Sequence, residues 1–156
     1  VRLLILAVGN RMPEWVNTGF EEYAKRMPRE LRVELVEIKP EKRGGGKTTL
    51  QIMEAERDRI LQALPGNCVL IALDEHGSNP TTQRLAQSLR DWMQSGGDVA
   101  FAVGGADGLH EDIKKKAAAL MALSAMTLPH GMVRVILAEQ LYRAYSVIKG
   151  HPYHRE

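Results

Sequence analysis

CVLIALDEHGSNPTTQRLAQSLRDWMQSGGDVAFAV, residues 68–103, is the stretch that decides the fold class. Cys68 to Leu73 is an apolar run too short for a helix and bounded by turn residues, which predicts a strand. Asn79 and Pro80 then cap a segment in which Leu85, Leu89, Trp92 and Met93 recur at helical spacing, and Gly96 and Gly97 close it. Val99 to Val103 is again continuously apolar. Strands without polar alternation are buried on both faces, and a helix between two of them is the crossover of a parallel pair.

The same alternation extends in both directions. Upstream, Arg2 to Val8 reads as a strand, and Pro13 to Met27 as a helix with Val16, Phe20, Tyr23 or Ala24, and Met27 on one face. Glu21 with Lys25 and Glu22 with Arg26 support that helix at i,i+4, Pro13 suits its first position, and Pro28 stops it. Arg32 to Ile38 alternates apolar and charged residues, the pattern of a strand near a sheet edge. Thr48 and Gln51 form a capping box before a helix striped by Leu50, Met53, Ile60, Leu61 and Leu64, which Pro65 and Gly66 break. Downstream, residues 109–126 are ambiguous: Ile113, Ala117 and Leu120 fit one helix, while Leu120 to Ser124 fits a short buried strand. Met132 to Lys149 is a helix with a broad apolar face of Val133, Ile136, Leu137, Leu141, Ala144, Tyr145 and Ile148, and with Glu139 four residues before Arg143. A polar tail, Gly150 to Glu156, follows. The expectation is an α/β fold, a mostly parallel sheet with helices on both faces, in a single domain spanning residues 1–156.

With 156 residues, 44% of them hydrophobic, the chain can bury a core unaided. Cys68 is its lone cysteine, so no intrachain disulfide forms and a reducing compartment is expected. The apolar run Leu3 to Val8 is too short to cross a bilayer, so the sequence predicts a cytoplasmic protein with no membrane contact. The charge excess is 21 − 19 = +2, concentrated at Lys39, Lys42, Arg43 and Lys47 and at Lys114, Lys115 and Lys116, so a nucleic-acid contact would be local. None of the five histidines stands at metal-ligand spacing, and no metal is expected.

Three segments carry candidate chemistry. Gly44 to Thr48 sits between strand and helix as a phosphate loop would, with Asp74 at a strand end where a metal-holding aspartate would be. A full loop, however, needs glycine where Glu41 stands, and a carboxylate there repels phosphate, so a nucleotide hydrolase is disfavoured against a mobile basic loop. Gly104 to Leu109 follows a buried strand at its carboxyl end, where open α/β sheets bind ligands, although a plain tight turn fits equally. The tail from His151 to Arg155 combines two imidazoles, a stacking aromatic and a guanidinium; the bland alternative is a frayed terminus.

Val103 to Gly105 with Asp107-Gly108-Leu109, then Leu123 to His130, Arg134, Glu139 to Ala144 and His151 to Glu156, together with Val8-Gly9 and Met12 to Val16, closely resemble the ribosomal-RNA pseudouridine methyltransferases of the SPOUT, or α/β-knot, class. The resemblance covers the whole chain. It implies a C-terminal trefoil knot, a strand at Leu120 to Ser124, and a homodimer to which the Met132 helix gives part of its apolar face. It implies S-adenosylmethionine as cofactor, held by loops at Leu73, at Gly104 and at Leu123, Ser124, Ala125, Met126, Thr127 and Leu128. The implied reaction is methylation of N3 of a pseudouridine in 23S ribosomal RNA, within the assembled ribosome. That chemistry needs alignment, a proton acceptor and donors for charge developing on the ring carbonyls. His154 is the candidate base, with His130 as alternative; Arg143 and Arg155 are candidate oxyanion partners, and Tyr153 would position the base. A noncatalytic RNA-binding protein using the basic loop and tail is the remaining rival.

Overall fold

Parallel pairing of the continuously apolar segments builds the sheet. In the computed structural model, which describes residues 1–155, five strands lie in the order β2-β1-β4-β3-β5, all neighbours parallel. They are β1 (Arg2–Val8), β2 (Arg32–Ile38), β3 (Val69–Ser78), β4 (Val99–Val103) and β5 (Ala119–Met121). The helices are α1 (Glu14–Ala24), α2 (Thr49–Ala63), α3 (Thr82–Ser95), α4 (Glu111–Lys116) and α5 (His130–Lys149), and a 3-10 turn (Pro152–Arg155) follows. Glu156, the last residue of the tail motif, lies outside the described residues.

Side-chain alternation sorts the core into two layers. Leu3, Ile5, Phe101 and Ile71 face α1, α3 and α5 with Phe20, Leu85, Leu89, Leu137 and Leu141; Leu4, Leu6, Ala100 and Leu70 face α2 and α4 with Ile60 and Ile113. Right-handed crossovers explain the division. The steps β1 to β2 and β3 to β4 run one way along the sheet and carry α1 and α3 on one face; the steps β2 to β3 and β4 to β5 run the other way and carry α2 and α4 on the opposite face.

Local signals place most boundaries. Thr48 Oγ1 accepts from Gln51 N–H while Gln51 Oε1 accepts from Thr48 N–H, the reciprocal capping box. Gly96 ends α3 in the left-handed region, and β2 is the edge strand that its alternation predicts. Three boundaries differ. Thr81, rather than Asn79 and Pro80, caps α3, its hydroxyl accepting from Arg84 N–H. Strand β3 runs on past Leu73 to Ser78, because after an irregularity it pairs again with β5 at Met121 and Gly77 lets the backbones meet; a Cβ at Gly77 would lie 2.6 Å from the Leu120 carbonyl carbon. The ambiguous stretch divides into α4 and a strand shorter than expected, Ala119–Met121, because the chain turns after Ala122 to line the site.

Candidate active site

A cavity of about 470 Å3 opens at the carboxyl ends of β3, β4 and β5, within the size range of small-ligand sites. Its lining brings together three segments: residues 73–76 of β3, the 104–109 loop and residues 121–128. Of the eight residues expected to hold a cofactor, Leu73, Gly104, Leu123, Ser124, Met126, Thr127 and Leu128 line it; Ala125 lies in the same loop but not on the wall. Ser124 Oγ accepts from Met126 N–H and fixes that loop's turn, leaving Met126 79% exposed at the rim.

The 104–109 loop is a tight turn at the cavity wall. Gly108 N–H donates to the Gly105 carbonyl at 3.1 Å, and Gly108 has φ +80°. Glycine at 104 is required by the turn itself, since a Cβ there would sit 2.6 Å from the Gly108 carbonyl carbon. Charge on the lining is mainly acidic: Asp74 pairs with Lys114 at 3.3 Å, Asp107 with Arg43 at 2.6 Å, and Glu75 is exposed. Asp74, which the nucleotide-hydrolase reading puts at a strand end as a metal-holding aspartate, lies within β3 and is held by a lysine. The Gly44 to Gly46 backbone stands in open space, and Lys47 Nζ lies 3.5 Å from the Glu41 carboxylate. The phosphate-loop lysine is therefore already neutralised by the residue that replaces the missing glycine.

Beside the cavity, at the end of β1, the sequence hides its most buried charge. Arg134 is fully buried; Nη1 donates to Glu37 Oε2 at 2.8 Å, Nη2 to the Gly9 carbonyl at 3.1 Å, and Nε has no partner among the described residues. His130, one turn earlier on α5, lines the cavity close to the same guanidinium. Burial first, and then the Arg134 charge, push the His130 imidazole below its ordinary range. The signal for Arg134 was available: it stands on the helical stripe of Leu137, Ala138, Leu141 and Ala144, where a charge must have an internal partner.

The expected catalytic residues gather elsewhere, at the far end of α5. Arg143 donates through Nε and Nη2 to Glu139 Oε2, and Tyr153 Oη donates to the same oxygen at 2.8 Å. The Tyr153 ring lies over the Arg143 guanidinium, tilts against Tyr142 and has Arg26 nearby. Burial, then Glu139, push the Tyr153 phenol above its usual range, so it stays a donor. Tyr153 therefore anchors the tail through Glu139 rather than holding the base by stacking or by a side-chain hydrogen bond, and Pro152–Arg155 form an ordered turn rather than a frayed end. His154 Nδ1 contacts the His151 carbonyl, and Arg155 is exposed. The tail thus turns back along the second half of α5, and no described tail residue lines the cavity.

The family model described as "Predicted SPOUT methyltransferase" matches residues 1–154. The chain belongs to this SPOUT methyltransferase family. It is 60% identical over 155 residues to the ribosomal RNA large subunit methyltransferase H of Ralstonia pickettii and 57% identical to that of Nitrosospira multiformis, with 99% of each chain covered in both cases. The fold resembles the crystal structure of a methylase-family protein from Neisseria gonorrhoeae, with a TM-score of 0.54 at 14% identity over 90% of this chain and 81% of that one. SPOUT membership agrees with the five-stranded parallel sheet and with a cavity formed at the carboxyl ends of three strands. Among the described residues, no helix is long and apolar enough to cross a membrane.

Proposed function

We propose that this chain is an S-adenosylmethionine-dependent methyltransferase that modifies N3 of a pseudouridine in 23S ribosomal RNA, acting in the cytoplasm on the assembled ribosome as a homodimer. The names of the relatives supply the substrate class. The observation that carries the reading is the convergence of the Leu73, Gly104 and Leu123 to Leu128 segments on one acidic cavity. Those residues fit the cofactor. A lining with Asp74, Glu75 and Asp107 against Lys114, and with a His130 held neutral, favours a ligand bearing sulfonium and ammonium charges and disfavours a polyphosphate.

When bound, S-adenosylmethionine supplies a methyl group on a positively charged sulfur, which leaves as a neutral thioether. Leu73, Gly104 and the loop from Leu123 to Leu128 would hold it through backbone groups. His154 takes the imide proton, and the electron pair left on N3 becomes the nucleophile. Arg155 offers its guanidinium to phosphate or to a ring carbonyl. Arg143, through Glu139 and Tyr153, holds the tail in place.

No described tail residue lines the cavity of its own protomer, so the site is completed by a second copy. Trp15 in the first turn of α1 and Met126 on the cavity rim are exposed, and Met132 and Ile136 on α5 are half-buried outside both cores. The knot belongs to this proposal: the β3 to β4 step joins neighbours, the β4 to β5 step runs back past β3 on the opposite face, and residues 122–128 return to line the same cavity as the 104–109 loop. The test is transfer of radiolabelled methyl to ribosomes from cells lacking the protein, with mass spectrometry of the RNA, beside calorimetry with S-adenosylmethionine and ATP. Methyl transfer and cofactor binding are expected; tight ATP binding removed by Lys47→Ala would overturn the assignment.

A further inference from the structure

The two tail histidines use their ring nitrogens in opposite ways. Tyr153 N–H donates to His151 Nδ1 at 3.1 Å, and His154 Nδ1 lies 2.5 Å from the His151 carbonyl oxygen. A backbone N–H can only donate, so His151 Nδ1 carries the lone pair and the proton of its neutral ring is on Nε2. A backbone carbonyl can only accept, so His154 Nδ1 carries the proton and its Nε2 is the bare acceptor. One short turn thereby fixes one imidazole as an outward donor and the other as an outward acceptor.

An imide edge has the complementary pattern: an N–H donor flanked by carbonyl acceptors. We propose that the two histidines act as a pair on the target base, His154 Nε2 accepting the N3 proton while His151 Nε2–H donates to an adjoining ring carbonyl. This rests on the assignment of the tail to methylation of a pseudouridine. In the step, the N3–H bond breaks, the proton joins His154 Nε2, and the electron pair stays on the ring, where it delocalises onto the carbonyl facing His151. The donor from His151 strengthens as that charge develops, which is the differential interaction that raises a rate. The proton on His154 is later released to water. His151 is exposed, so its donor faces solvent and incoming RNA.

Two substitutions separate this role from a merely structural one. His151→Asn retains an acceptor for Tyr153 N–H, in the manner of an Asx turn, but has no donor at the Nε2 position. His151→Gln places an amide donor near the Nε2 position and loses the turn acceptor. Single-turnover methyl transfer to unmodified ribosomes is expected to fall on the order of a hundredfold in His151→Asn and much less in His151→Gln. The opposite order, or equal losses, would show that His151 only builds the turn. Nitrogen-15 NMR of the histidine-labelled full-length protein gives a readout independent of activity: the Nδ1–H tautomer is expected at His154 and the Nε2–H tautomer at His151, and an Nε2–H tautomer at His154 overturns the pairing. A wild-type protein that transfers no methyl group, or a fully active His154→Ala, removes the underlying reading as well. An active wild type with slow His154→Ala and full-rate His151→Asn removes the His151 role alone.

Discussion

His130 and Gly104 show how single residues at the cavity are constrained by the fold before any ligand arrives. The imidazole of His130 is depressed by burial and by Arg134, so the unfolded chain, with a histidine near 6.5, binds the proton more readily than the folded one. Stability attributable to His130 is therefore complete above about pH 6.5 and is lost as pH falls toward the depressed folded value. Urea unfolding of the wild type and of His130→Gln at pH 7.5 and 5.5 should give a smaller acid loss for the variant; equal losses would place the imidazole in solvent. The constraint at Gly104 is steric, because its missing Cβ makes room for the Gly108 backbone. Even Gly104→Ala should displace the turn, weakening S-adenosylmethionine binding by tenfold or more while the sheet stays folded. Calorimetry paired with circular dichroism checks this, and an alanine variant of unchanged affinity would mean that the loop adapts.

Elements were legible where the determining interaction is local. The Thr48 to Gln51 capping box, the glycine after α3 and the buried run of β4 each write their own boundary into a few residues. Strand β3 was not legible beyond Leu73, because Asp74, Glu75 and His76 face the cavity and the pairing that extends the strand depends on β5, far off in sequence. Three residues of β5 are too few for any period, so the pattern left that strand open beside a continued helix and only the family resemblance decided for it. The loops that the resemblance assigns to the cofactor meet at one cavity, whereas Glu139 passed as a helix-stabilising partner of Arg143 although it also holds Tyr153. That anchoring makes the coupling of α5 to the tail testable. Tyr153→Phe keeps the ring against Tyr142 but removes the donor to Glu139, and should slow methyl transfer about tenfold without changing cofactor affinity. Deleting residues 153–156 should cost a hundredfold or more, with cofactor binding still near normal. A deletion protein that methylates ribosomes at the full rate would move attention to His130.

At the scale of the whole molecule, the proposed arrangement divides one reaction between a cavity at the start of α5 and a tail anchored along its second half. The cavity is lined by His130 at the start of α5, whereas the tail turns back after Gly150 and is anchored along the second half of α5 at Glu139, Tyr142 and Arg143, and no described tail residue lines the cavity. Two copies related by a twofold axis solve the geometry if their α5 helices run antiparallel, since each tail then reaches the partner's cavity. A consequence follows that no single-protomer arrangement shares. Gly104→Ala spoils the cavity and leaves the tail intact; His154→Ala spoils the tail and leaves the cavity intact. Each homodimer should be nearly inactive when S-adenosylmethionine is kept well below the concentration that fills the Gly104→Ala cavity. If the subunits exchange on mixing at equal concentrations, about half of the dimers are mixed, and each mixed dimer holds one sound cavity facing one sound tail. Methyl transfer should then rise to roughly a quarter of the wild-type rate per dimer, with a time course set by subunit exchange. Sedimentation would register the same dimer throughout. Sites confined to single protomers would instead give the mean of two dead enzymes at every mixing ratio, and that result would return the catalytic task to residues beside the cavity.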